Sequence, residues 1–229
     1  ARSPRTLRRD PAHSARPNMK IERLLGAALC GLARVITGAR AIHHAAQGSN
    51  PAGEPRVYYA NHRSHIDFLL VWAALPPRVR RRTRPVAGAD YWLASPLRRY
   101  VALSIFRAVL IDRGGTVHAA ADPLAVMHAA LDAGESLIVF PEGTRNVGDG
   151  LLPFKSGIFR LARSRPGLRF VPVWVENLGR VMPKGSFIPV PLLCALHFGE
   201  MLCLGDDELR SSFLNRSRDA LIALAPPAA

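Results

Sequence analysis

Between Met19 and about Arg40, apolar residues recur at helical spacing: Ile21, Leu24, Leu25, Ala28, Leu29, Leu32, Val35, Ile36 and Ala39. Lys20, Arg23, Arg34 and Arg40 are interspersed on or near the other face. The pattern predicts a basic amphipathic helix of the kind that lies in a membrane interface. Two other readings fit the same residues. The apolar face packs on the rest of the chain, or Leu24 to Ala33 is the apolar region of a signal peptide with Ala39-Arg40-Ala41 as its cleavage site. Gln47 to Pro55 is rich in Gly, Pro, Ser and Asn and reads as a loop. Beyond it, candidate strands at 56–60, 84–87, 108–112, 136–140, 170–175 and 197–204 alternate with candidate helices at 64–75, 117–133, 155–164 and 206–224. This alternation predicts an α/β fold in which one sheet is flanked by helices.

Upstream of the amphipathic stretch, residues 1–17 carry Arg2, Arg5, Arg8, Arg9 and Arg16 among prolines and small polar residues. Such a composition builds no core and predicts a disordered basic arm. The expected organisation is therefore an arm at 1–17, a membrane-surface helix at 18–46 and one mixed-sheet domain at 47–229. The length of 229 residues suffices for that core. No window of about 18 uninterrupted apolar residues occurs. The longest candidate, Phe187 to Leu204, contains Pro189, Pro191, His197 and Glu200. A peripheral or monotopic place on the cytoplasmic face of the cell membrane is expected.

The formal net charge of +14 predicts attraction to anionic lipid, phosphorylated substrates or nucleic acid. Nucleic acid is not expected as a partner, because aromatic residues make up 7% and do not interleave with the basic runs as a stacking platform requires. The basic run Arg78-Val-Arg-Arg-Arg-Thr-Arg84 reads as a solvated loop, with an acidic carrier protein or the membrane as its candidate partner. Cys30, Cys194 and Cys203 form no CxxC pair and are odd in number. No disulfide framework or metal site is readable, and a reducing compartment is expected.

Candidate chemistry begins at Asn61-His-Arg-Ser-His-Ile-Asp67. Ser64 and Asp67 match a capping box, with Ser64 as N-cap and Asp67 at the third helical position. Phe68, Leu69, Leu70, Trp72, Ala73 and Leu75 then form a mainly buried helix that Pro76-Pro77 stops. In one continuous helix, His62 and Asp67 would point about 140° apart. If the helix starts only at Ser64, His62 lies on the preceding turn and can fold back onto the Asp67 carboxylate. Its other ring nitrogen is then free to take a proton from a substrate. The helix N-terminus disfavours a charge on that ring, and the carboxylate favours one.

The second unusual run is Ser136-Leu-Ile-Val-Phe-Pro-Glu-Gly-Thr-Arg-Asn146. A buried strand ends at Pro141, and Gly143 loosens the turn. Gly143 and Thr144 offer backbone and hydroxyl donors and Arg145 a bidentate cation, which together suit a phosphate. Glu142 would repel phosphate and is expected to brace an arginine or bind a substrate hydroxyl.

In this order, the runs NHRSHID and FPEGTRN resemble the first and third motifs of the glycerolipid acyltransferases of the lysophosphatidic acid acyltransferase type. AVLIDR, ending at Arg113, resembles the second motif and VPVWV (171–175) the fourth. FKSG (154–157) and HFGEML (197–202) are similar to further landmarks of that family. The resemblance covers about residues 55 to 205. It departs at the second motif, where SIFRAVLIDRGG offers Arg107 as well as Arg113.

The resemblance implies a glycerol-3-phosphate acyltransferase-like fold and acyl transfer to a lysophospholipid hydroxyl, with lysophosphatidic acid as the expected acceptor. Another lysolipid or a lyso-aminolipid is the alternative. The donor would be acyl-CoA or acyl carrier protein, and no cofactor is implied beyond that co-substrate. His62 and Asp67 would form the catalytic dyad. Arg113, Glu142, Gly143, Thr144, Arg145 and Lys155 would line the acceptor's phosphate and glycerol site. With no Gly-x-Ser-x-Gly elbow and no evident partner histidine for any cysteine, transfer is expected without an acyl-enzyme.

Overall fold

The structure, a computed structural model, describes residues 19–44, 53–64, 67–112, 122–146, 148, 150–176 and 194–226. The proposed arm at 1–17 and the candidate site residue Arg113 lie outside them.

Seven strands form one mixed sheet in the order β1-β7-β6-β2-β5-β3-β4. These are β1 (Arg40–His43), β2 (Arg56–Ala60), β3 (Thr83–Gly88), β4 (Val109–Ile111), β5 (Ser136–Val139), β6 (Arg169–Val175) and β7 (Ala195–Phe198). All neighbouring pairs are parallel except β6 with β7. The expected α/β sheet flanked by helices is thus observed. Strand β2 is buried along its whole length. It alternates sides: Tyr58 and Ala60 face one apolar cluster, Val57 and Tyr59 the other. Burial on both faces is why its sequence reads as a continuous apolar run.

Two helices cover the first face: α1 (Met19–Thr37) and α2 (Asp67–Ala74). Helices α6 (Pro123–Asp132), α7 (Gly157–Ser164) and α8 (Arg210–Ile222) cover the second. Between β2 and β4 lie short helices α3 (Pro77–Arg80), α4 (Ala89–Trp92) and α5 (Pro96–Tyr100). A π-type segment, Val101–Ile105, continues α5 and is closed by Phe106 N–H donating to Val101 O.

Strand β1 falls within the 18–46 stretch expected as the membrane-surface helix, and it pairs instead with β7. Its four residues are all exposed, so no apolar alternation betrays it. The basic run at 78–84 is not a solvated loop throughout. It contributes to α3 and β3, and Arg80 stacks over Trp72 while Arg84 is paired with Glu135.

Helix α1 meets the domain through a narrow stripe of small residues. Gly26, Cys30, Ala33 and Thr37 are buried. A Cβ on Gly26 would stand 3.3 Å from the Trp72 ring, which explains a glycine at that contact. Leu24 is 70% exposed and Val35 82% exposed, and Ile21, Leu25 and Leu32 are exposed as well. By helical geometry these apolar side chains point about 110–170° away from the centre of the buried stripe. The reading in which the large apolar face packs on the domain is therefore overturned.

Candidate active site

Strands β2 and β5 are parallel neighbours, and both end at the same edge of the sheet. From β2 the chain turns into α2 on one face; from β5 it leads to α7 on the other. In open α/β sheets such a divergence opens a crevice at the carboxyl ends of the strands. His62 and the 140–146 loop both stand at that crevice.

The turn after β2 is held by Asn61. Its side chain is buried and bonds both ways to the backbone of Val175 at the end of β6, accepting from N–H at 2.7 Å and donating to the carbonyl at 2.9 Å. His62 follows. Its Nδ1 lies 2.8 Å from Asp67 Oδ2. The same oxygen accepts the backbone N–H groups of Arg63 at 2.7 Å and Ser64 at 2.8 Å. One limb of the expected capping box is present, since the Asp67 carboxylate reaches back to the Ser64 N–H. Within the described residues the helix runs from Asp67, and Ser64 lies at a bend ahead of it. His62 stands outside helical structure on the preceding turn, and its ring folds back onto the start of the helix. Asp67 is fully buried, and its Oδ1 has no hydrogen-bond partner among the described residues.

The imidazole stacks on Phe140, with ring centroids 4.2 Å apart. Main-chain contacts bind the two loops on either side of the ring. His62 N–H donates to Glu142 Oε1 at 2.9 Å, and Asn146 N–H donates to the His62 carbonyl at 2.7 Å. Arg63 donates to the Gly148 carbonyl at 2.9 Å. With Nδ1 engaged by Asp67, Nε2 is the ring nitrogen left for a ligand.

Glu142 has a different task from the one expected. It is 1% exposed, and its second oxygen accepts the Leu152 N–H at 3.0 Å. Both oxygens therefore hold backbone amides, and Glu142 braces the His62 turn against the 141–152 loop rather than lining the cavity. Gly143 has φ +72°, a left-handed conformation that glycine adopts without strain. A Cβ there would also stand 3.2 Å from the Lys155 side chain, which lies across the loop. Lys155 is anchored by its N–H donating to the Pro141 carbonyl.

His62, Gly143, Thr144, Arg145 and Lys155 border one cavity of about 430 Å³. That size falls within the range of about 300–1,000 Å³ usual for ligand sites. The rest of its wall is mainly apolar, formed by Phe68, Trp92, Ala102, Phe106, Ile111 and Met127 among others, with Asp90 and Tyr91 also lining it. The sequence offered no sign of this chamber, because its wall is assembled from β3, β4, α4, α6 and the π-type segment. Arg107, the alternative to Arg113, is not at the site. It has φ +51° and pairs with Glu135, which immediately precedes β5 at the opposite edge of the sheet.

None of the cysteines shares this cavity. Burial raises the thiol of Cys30, and burial with the nearby Glu176 and Asp67 carboxylates pushes Cys194 up to about 11. No helix among the described residues is long and apolar enough to cross a membrane.

The 1-acyl-sn-glycerol-3-phosphate acyltransferase of Salmonella typhimurium is 34% identical over 127 residues, covering 53% of this chain and 46% of that protein. The human 1-acyl-sn-glycerol-3-phosphate acyltransferase alpha is 33% identical over 151 residues, covering 63% of this chain and 47% of that protein. The chain spans about half the length of the curated relatives it matches. The crystal structure of the 1-acyl-sn-glycerophosphate acyltransferase from Thermotoga maritima shares the fold, with a TM-score of 0.66 over 92% of this chain and 83% of that one at 17% identity. The family model described as Acyltransferase matches residues 40–176, more than half of the chain and a span that contains both motif loops. On that span, the chain belongs to the acyltransferase family.

Proposed function

We propose that this protein transfers a fatty acyl group from a thioester donor, acyl-CoA or acyl carrier protein, to the free hydroxyl of lysophosphatidic acid at a membrane surface, giving phosphatidic acid. The observation that carries this reading is the His62–Asp67 hydrogen bond of 2.8 Å at the mouth of a cavity whose remaining wall is mainly apolar. The names of the relatives in Salmonella typhimurium and Homo sapiens support the choice of acceptor.

A hydroxyl is a poor nucleophile until its proton is removed. In this reading His62 Nε2 takes that proton as the oxygen attacks the thioester carbonyl. Asp67 keeps the Nδ1 proton in place and stabilises the imidazolium that forms, much as a buried carboxylate does in a serine-protease triad. The tetrahedral intermediate collapses, the C–S bond breaks, and the imidazolium returns its proton to the departing thiolate. Arg145 and Lys155, with the loop at Gly143 and Thr144, hold the acceptor's phosphate. Arg113 belongs to the same proposed set. The apolar chamber takes the acyl chain. A raised thiol such as Cys194 is a poor nucleophile at neutral pH, which supports direct transfer.

Large exposed leucine and valine side chains on α1, flanked by Lys20, Arg23 and Arg34, support a membrane-surface location. The cytoplasmic face remains part of this proposal.

The test is product analysis with labelled acyl donor and a panel of lysolipids, comparing wild type with His62→Ala. Acceptor-dependent ester formation with lysophosphatidic acid, lost in the variant, is expected. Undiminished transfer by His62→Ala would remove His62 as base. Preference for another lysolipid would reassign the acceptor, and free fatty acid released equally without any acceptor would mark a thioester hydrolase.

A further inference from the structure

One face of the segment between β3 and β4 is apolar and uncovered. Leu97 is 72% exposed, and Leu93, Tyr100 and Leu103 are each 42% exposed. Leu97 and Tyr100, three residues apart, are neighbours on α5, and Leu103 stands next to Tyr100 on the π-type segment that continues it, so the exposed apolar side chains form a stripe that winds around this segment. Ala102 and Phe106 lie on the inner side, buried, and line the cavity. Trp92 lines it too, beside the exposed Leu93. A wall one helix thick thus has the acyl chamber on one side and exposed leucines on the other.

The element that carries these side chains is adjacent to α1: the π-type segment packs against it, where a Cβ on Gly26 would stand 3.6 Å from Ile105 Cγ2. Arg98 and Arg99 are exposed on α5, as are Lys20 and Arg23 on α1. Exposed apolar side chains bordered by cations match the chemistry of an anionic lipid interface.

We propose that the Leu93–Leu97–Tyr100–Leu103 face is a second bilayer contact, which seats the thin wall of the chamber against the acyl region of an anionic membrane. This rests on the membrane-surface reading above and extends it. One amphipathic helix gives the protein a line of attachment about which it can rock. A second contact beside it defines a plane and fixes which wall of the chamber meets the lipid. A lysolipid and a long acyl chain then reach the site without leaving the apolar phase.

Two measurements on the full chain test this. An environment-sensitive fluorophore is placed at Leu97→Cys in a Cys203→Ser background, because Cys30 and Cys194 are buried. The control label is at Ser211→Cys on α8, which is exposed and packs on the other side of the sheet. With phosphatidylcholine–phosphatidylglycerol vesicles, the Leu97→Cys label shifts to the blue and is quenched by spin-labelled acyl chains; the control is not. A water-like label at position 97 overturns the proposal. Co-sedimentation of the same samples then says whether membrane association failed with it or persists through α1 alone.

The second measurement compares Leu97→Glu/Leu103→Glu with wild type on two substrate pairs. kcat/KM toward long-chain lysophosphatidic acid in vesicles falls at least about tenfold, since each leucine withdrawn from lipid loses a factor of that order. Transfer between short-chain, water-soluble donor and acceptor is unchanged. Equal effects on both pairs, or none on either, overturn the proposal. Absence of soluble transfer in the wild type sinks the acyl-transfer reading instead, and the fluorescence result still decides the contact.

Discussion

Replacing Asp67 by asparagine separates the charge of this residue from its shape. Asp67 Oδ2 accepts from His62 Nδ1 and from the backbone N–H groups of Arg63 and Ser64. Those backbone donors require an oxygen at that position, so the asparagine amide is held with its oxygen toward them and its nitrogen at the place of Oδ1. Oδ1 has no partner among the described residues, so the exchange there replaces one unpartnered group by another. The imidazole tautomer is kept, and what is lost is the negative charge facing the imidazolium of the transition state.

At about 4 Å and an effective dielectric near 20, that attraction is worth about 4 kcal/mol. A hydrogen bond to a charged group contributes about 1.5–3 kcal/mol. A barrier raised by about 2–4 kcal/mol lowers kcat by about 30- to 1,000-fold. The Michaelis constants for both substrates stay near wild type, because the charge matters only after proton transfer.

Asp67→Ala serves as the companion variant. It also strips the acceptor from the two backbone amides, one on the buried Ser64, at a cost of about 2–4 kcal/mol. In a chain of this length, that lowers Tm by about 4–16 °C. The assays are steady-state transfer to lysophosphatidic acid and thermal unfolding by circular dichroism. If Asp67→Asn keeps kcat within about threefold of wild type, the carboxylate does not stabilise a charged imidazole and the proposed chemistry is wrong.

Three further outcomes are expected. Arg145→Ala raises KM for lysophosphatidic acid with little change in kcat or Tm, because the side chain is exposed at the cavity mouth and holds substrate and transition state alike; a kcat effect alone would refute this. Leu24→Glu/Val35→Glu abolishes co-sedimentation with anionic vesicles while leaving Tm unchanged, since both side chains point away from the domain; a large fall in Tm would show that this face is packed. Ala102→Phe fills part of the chamber and shifts preference toward shorter acyl donors, read from kcat/KM across a series of chain lengths; an unchanged profile would place the chain elsewhere.

Much of the site is local and so was legible. The interval from His62 to Asp67 needs only a helix start between them to bring ring and carboxylate together, and the apolar run with its proline stop predicts that start. Gly143 announces a turn that requires positive φ. Glu142 was harder. A carboxylate beside an arginine in sequence reads as an ion pair, yet its partners are main-chain amides of His62 and Leu152, the first of them 80 residues away in the chain. Backbone donors are the same in every residue, so no side-chain pattern signals them.

The chain alone determined where helices and strands arise and which residue types gather in each loop, because those depend on spacing and turn chemistry within about a dozen residues. Tertiary structure decided what faces what. Pairing of β2 with β5 set the imidazole against Phe140, and β3, β4 and α4 met the π-type segment to enclose a chamber that none of them contains. On α1 it decided the opposite of the simplest expectation. Periodicity shows that leucines share a side, but the neighbour they meet is chosen by shape, and only the stripe of Gly26, Cys30 and Ala33 is slim enough to lie against Trp72. The leucines were left outward, toward whatever apolar phase the protein meets.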